Sequence, residues 1–136
     1  MLSIAVIFPD LMSELLTAIN RTREVRLTEC ARIADSFYTR LVGLLRDKML
    51  AHGDGLWIKP CNSIHSIGMR FAFDAIFLDK DLRVVHLVRG MKPWRISKMV
   101  FAARSVLELP AGLISQTGTE LGDQFEMRKG AFQTIR

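Results

Sequence analysis

A mainly β domain is the fold class this sequence predicts, on three observations. Short runs of apolar and β-branched residues recur between turn residues, VRLTECARI at 25–33 and FAFDAIFL at 71–78 being the clearest. The second run is followed by Asp79-Lys80-Asp81-Leu82 and then RVVHLVR, the pattern of a hairpin. No strand–helix–strand alternation of the kind parallel sheets need is visible. The expected architecture is a single compact antiparallel sandwich or partly open barrel, jelly-roll-like, with two or three short helices. The 136 residues, 49% apolar and 24% charged, suit one domain around one core.

Residues 1–20 are expected to form an apolar extension, a helix capped by Asp10 with Leu11, Leu15, Leu16 and Ile19 near one face. The first basic residue is Arg21, and Pro9, Asp10 and Glu14 interrupt the apolar run. It therefore reads neither as a signal peptide nor as a membrane span. A degenerate leader is the alternative, and would make the protein exported rather than cytoplasmic. The β-rich domain is expected over 21–128, with a polar tail at 129–136. In VRLTECARI, Val25, Leu27, Ala31 and Ile33 face one way, with Glu29 out of pattern. Ser36 caps a short helix, SFYTRLVGLLR. LWIK after His52-Gly53-Asp54-Gly55 is a strand leading into Pro60. FAFDAIFL is apolar on both faces apart from Asp74, as in a central strand covered on both sides. VLEL at 106–109 and QFEM near the end supply further strands, with a short helical turn before Gly118.

Composition excludes several classes. Lys plus Arg is 19 and Asp plus Glu is 14, a moderate excess of +5. The cations are scattered along the chain, with no basic run suited to a nucleic-acid or membrane arm, so nucleic acid is a weak partner expectation. Two cysteines, Cys30 and Cys61, fit free thiols in a reducing compartment better than a disulfide framework. No phosphate loop, G-x-S-x-G, H-E-x-x-H or paired C-x-x-C is present, and no cofactor or metal is implied.

The chemistry-bearing residues gather in PCNSIHSIGMRFAFDAIFLD, at the mouth of a strand, where a rigid scaffold can hold polar groups. Cys61 and His65 have the spacing of an activated thiol or of two metal ligands, and equally of a packed thiol and a loop-tying imidazole. Ser63 adds a hydroxyl and Arg70 a guanidinium fork for an anion. Asp74 needs a partner if buried, and Arg70, Arg89, Lys92 and Arg95 are the candidates. Lys92 and Arg95 flank Trp94 in MKPWR; the indole is expected to close one end of the core.

The segments RLVGLLRDKML, GLWIKPCNSIHSIGMRFAFDAIFLDKDLRVV, MKPW, SVLELPAG and the Gly-Asp at 122–123 occur in this order. On them the chain resembles the bacterial and archaeal family known as domain of unknown function 192, over roughly residues 24–127, with the segment before Arg21 outside. The resemblance implies a small jelly-roll-like β domain and implies no activity. Two departures stand out: the family usually has Gly at the position of Leu82 and often Pro at that of Ala72. Leucine in a left-handed turn costs on the order of 1 kcal/mol, so the turn is expected to differ.

No reaction or ligand is legible in the sequence. The first expectation is a small soluble domain that binds a small anionic or polar ligand at one end of the sheet, through Cys61, Ser63, His65, Arg70, Asp74, Lys92 and Arg95. An enzyme using Cys61, His65 and Asp74 is the second, and a protein or nucleic-acid interaction module the third.

Overall fold

A computed structural model describes residues 15–35, 50 and 54–129. Among the described residues there are seven strands: β1 (Leu16–Asn20), β2 (Val25–Asp35), β3 (Gly55–Lys59), β4 (Phe73–Leu78), β5 (Val84–Met91), β6 (Ser105–Pro110) and β7 (Phe125–Lys129). One short helix, α1 (Leu113–Thr117), lies between β6 and β7. The strands form one sheet in the order β5-β4-β6-β3-β2-β1-β7. Its outer strands meet at one end: the Val84 N–H donates to the Asp123 carbonyl (2.9 Å) and the Phe125 N–H to the Leu82 carbonyl (2.8 Å). The sheet thus curls into a half-barrel, the partly open barrel of the two architectures expected. Of the expected helices, the turn before Gly118 is α1, while SFYTRLVGLLR falls outside the described residues.

Two expectations are corrected. The β2–β3 pair is parallel, Ala31 opposite Gly55 and Ile33 opposite Trp57. A parallel pair needs a crossover connection, here through residues 36–54, so one β-crossover-β unit is embedded in an otherwise antiparallel sheet. Residues 16–20 are strand, not helix: Leu16–Asn20 pairs with β2 on one side and β7 on the other. The helical spacing of Leu11, Leu15, Leu16 and Ile19 was outweighed because all five β1 residues are buried between two strands, a demand that local periodicity does not reveal. The remainder of the proposed helix falls outside the described residues.

β4 behaves as its composition requires. Ile76 and Leu78 enter one core cluster with Leu107, Leu109 and Phe125, whereas Phe73, Ala75 and Phe77 enter a second with Met69, Met91 and Val100. Side chains alternate across a strand, so a run apolar at every position can serve two cores. Burial of each large side chain contributes about 1.5–3 kcal/mol. Glu29, out of pattern in β2, is exposed, and irregularities in the β1–β2 register between Arg26 and Ala31 accommodate it. The β4–β5 hairpin is as expected. Its turn keeps a left-handed residue: Leu82 has φ 63 and packs its side chain against the first core, a contact that offsets the strain.

Candidate functional site

The loops after β3 and after β5 pair with each other into an irregular antiparallel ribbon. Backbone hydrogen bonds run from base to tip: Cys61 N–H to the Arg104 carbonyl (3.0 Å), Val100 to Asn62 (2.8 Å), Ser97 to Ile64 (2.8 Å) and Ser66 to Arg95 (2.8 Å). His65 and Ile96 form an isolated bridge between them. Ile64, Met69, Val100 and Ala103 point inward and seal the second core, which fastens the ribbon to the sheet.

Ser66 locks the tip. Its side chain is fully buried, and its Oγ donates to the Lys92 carbonyl (2.6 Å) while accepting the Arg95 N–H (2.8 Å). Its carbonyl also accepts the N–H of Trp94 (2.9 Å) and of Met69 (3.1 Å). Sequence reasoning passed over Ser66 in favour of Ser63; the signal was present in SIHS, but a serine shows itself as structural only through its partners. Ser66→Ala is expected to cost about 1 kcal/mol, since it removes the hydroxyl partner of the part-buried Arg95 amide and Lys92 carbonyl. Amide exchange at Trp94 and Arg95 should accelerate with it. Unchanged protection there would exclude Ser66 as the lock.

The sequence-nominated residues separate into three places. Cys61 lies at the ribbon base, half-buried, its thiol donating to the Ser63 carbonyl (3.1 Å). It lines an open depression of about 310 Å³ with Pro60, Asn62, Ala103 and Arg104. His65, Lys92 and Arg95 lie at or beside the tip and are exposed, with His65 Nδ1 accepting the Ile67 N–H (3.2 Å). Arg70 is exposed beyond the tip loop. Asp74 belongs elsewhere. It is 1% exposed, its Oδ1 accepts the Gly90 N–H (2.8 Å), and its Oδ2 accepts those of Gly112 (3.1 Å) and Ile114 (2.8 Å). The partner sought among arginines and lysines is met by three backbone amides, which a sequence cannot display. Trp94 is also corrected: it is 65% exposed, with φ 62, and does not close the core.

Arg104 was missed, because nothing in VFAARSV marks it. Its guanidinium donates to the carbonyls of Phe101 (3.3 Å) and Ala103 (3.4 Å), which hold it at the rim of the depression. Residues 55–73 and 82–107 contain no Asp or Glu. The ribbon and its flanks therefore gather the exposed cations Arg70, Lys92, Arg95, Lys98 and Arg104 without a carboxylate from either segment. Lys98 also bears on His86 of β5, whose imidazole burial first, and this charge second, push below its usual range. Among the described residues no group of three His, Cys, Asp or Glu could hold a metal ion, and no helix is long and apolar enough to cross a membrane.

The family model described as "Uncharacterized ACR", domain of unknown function 192, matches residues 18–127. The chain belongs to this family. The match begins inside β1, earlier than the motifs suggested, because that strand is part of the sheet. A UPF0127 protein of Pyrococcus horikoshii is 36% identical over 111 residues, covering 79% of this chain and 96% of that protein. Another, from Pyrococcus furiosus, is 32% identical over 114 residues, covering 82% and 96%. The crystal structure of a protein of unknown function from Novosphingobium aromaticivorans superposes with a TM-score of 0.67 at 21% identity, covering 82% of this chain and 83% of that one. That likeness concerns the fold alone. The function of the family is unknown, and these relatives assign none to the DUF192 domain described here.

Proposed function

We propose that the domain binds a small anionic ligand at the ribbon, in the cytoplasm, with the depression beside Cys61 as its seat. The observation that carries this reading is the collection of exposed cations on two paired loops that bring no carboxylate with them. Neither loop carries a carboxylate of its own, so the charges of Lys92, Arg95, Lys98 and Arg104 sum to a positive field that attracts an anion. The Arg104 fork and the Asn62 amide at the rim are donors suited to phosphate or carboxylate oxygens. The depression, at about 310 Å³, lies at the small end of ligand sites.

The enzyme alternative draws less support. The Cys61 proton is engaged by the Ser63 carbonyl, whereas a nucleophile works as thiolate. The Asp74 oxygens are occupied by backbone donors, so they do not serve as a base for the ribbon.

Titration with inorganic phosphate and pyrophosphate, read by the melting midpoint, tests the anion site. An anion at one hundred times its dissociation constant should stabilise the parent by about 2.7 kcal/mol. Arg104→Lys should weaken binding roughly tenfold, because an ammonium cannot reproduce the fork. An undiminished response in Arg104→Ala would move the seat away from the depression. A parent midpoint indifferent to both anions would remove the reading altogether.

A further inference from the structure

The ribbon has a second feature that a small-anion seat does not use. Of the six large apolar side chains exposed among the described residues, five lie on it: Ile67 (47%), Trp94 (65%), Ile96 (75%), Met99 (54%) and Phe101 (78%). Isolated exposed apolar residues are ordinary, but a group of them on one pair of loops marks an interaction surface. Four of them, Trp94, Ile96, Met99 and Phe101, lie in MKPWRISKMVFAAR, interspersed with the cations of the same stretch. The backbone at Trp94 holds a left-handed φ of 62, uncommon for a bulky side chain, and is fixed there by its N–H bond to the Ser66 carbonyl. Conformational strain is thus accepted at a position that presents an indole to solvent rather than to the core.

We infer that the ribbon docks lengthwise on an anionic lipid surface, with the exposed side chains of Trp94, Ile96, Met99 and Phe101 entering the boundary between headgroups and acyl chains. The inference rests on the anion-binding reading for its cations, and adds the exposed apolar groups of the ribbon to it. Charge complementarity favours lipid: the two loops offer cations and no carboxylates, which suits a surface of one sign. Single-stranded nucleic acid would use the aromatics for stacking, but three of the five exposed apolar groups are aliphatic and offer a base no π-face. Lys and Arg around a Trp and several aliphatics are the composition of an interfacial membrane contact.

The full chain would be mixed with phosphatidylcholine vesicles with and without phosphatidylglycerol, and followed by co-flotation and tryptophan emission. Trp57 is 8% exposed, so an emission change reports chiefly on Trp94. Binding to the anionic vesicles alone is expected, with a blue shift, and it should weaken as salt shortens the Debye length. Lys92→Gln and Arg95→Gln should each weaken it about fivefold. The double variant Trp94→Ser with Phe101→Ser should lose it more than tenfold, with the melting midpoint and the phosphate response unchanged. Every variant keeps residues 1–14, so their differences isolate the ribbon. Vesicle binding that is equal for both lipid mixtures, or equal in the double variant, overturns the inference. A parent that ignores anionic vesicles while phosphate still raises its midpoint defeats the membrane contact and leaves the anion site standing. Indifference to both defeats both. Binding of oligo-dT or polyglutamate in place of vesicles would reassign this surface to another class of partner.

Discussion

Asp74→Ala is expected to destabilise the domain by about 3–5 kcal/mol, read as a shift in the urea unfolding midpoint at neutral pH. The carboxylate, on the first-core face of β4, accepts three backbone N–H groups and joins three pieces of chain. One is Gly90, left-handed at φ 62 beside a register irregularity in the β4–β5 hairpin. The others open α1, whose N-cap position is Gly112 and has no side-chain cap of its own. Asp74 therefore acts as an N-cap supplied from another strand, satisfying amides the helix leaves unpaired. Each stranded buried donor costs about 1–3 kcal/mol, while relief of the buried charge returns part of the total. Asp74→Asn should recover only part of the loss, because its NH₂ group would face donors. A change below about 1 kcal/mol in Asp74→Ala would show that these amides find other partners.

The second large effect is expected at Asp123. This carboxylate is 3% exposed, and its Oδ2 accepts from Asn20 Nδ2 (2.9 Å), Arg23 Nε (2.9 Å) and the Glu120 N–H (3.0 Å). Asn20, itself fully buried, turns its Oδ1 to the Arg23 N–H (3.1 Å) and a second Nδ2 bond to Thr119 (3.1 Å). The cluster ties the β1–β2 turn to the loop before β7, where the half-barrel closes. Asp123→Ala is expected to cost about 3 kcal/mol, mostly in stranded buried donors. The Arg23 side chain is 36% exposed, so its Coulombic share is screened.

The pH dependence has a definite sign. Burial pushes the Asp123 carboxyl up, but the Arg23, Asn20 and Glu120 hydrogen bonds and the Arg23 charge outweigh it and hold it below its usual 3.8. The unfolded chain then binds the extra proton first. The stabilisation is complete above the unfolded value and is lost as pH falls through the lower folded one. Asp123→Asn should flatten this acid limb. His86 acts in a higher window: burial and Lys98 lower its pKa, so stability declines as pH drops below its usual 6.5. That decline should survive in Asp123→Asn, and an acid profile unaltered by the substitution would show that other carboxylates govern it.

The alternation in VRLTECARI, the hairpin at Asp79–Leu82 and the doubly buried β4 are legible in local periodicity and turn chemistry. Family membership is legible too, through a motif set that residues 18–127 carry, and the stretch from Cys61 to Asp74 stands out as rich in chemistry. Only long-range pairing made residues 16–20 a strand, since an interior place between β2 and β7 overrides a weak helical spacing. Tertiary structure alone made β2 and β3 parallel, a long-range pairing that composition does not encode. It dispersed the nominated site: Asp74 answers backbone amides, Cys61 sits at the ribbon base, and His65, Lys92 and Arg95 lie at or beside its tip. Cations scattered along the chain came onto one ribbon through the pairing of the loop at 61–72 with the loop at 92–104, to which Ser66 contributes. The physical reason is common to all of these. A side chain's type is local information, whereas its partner, its burial and the sign of its surroundings are set by residues tens of positions away.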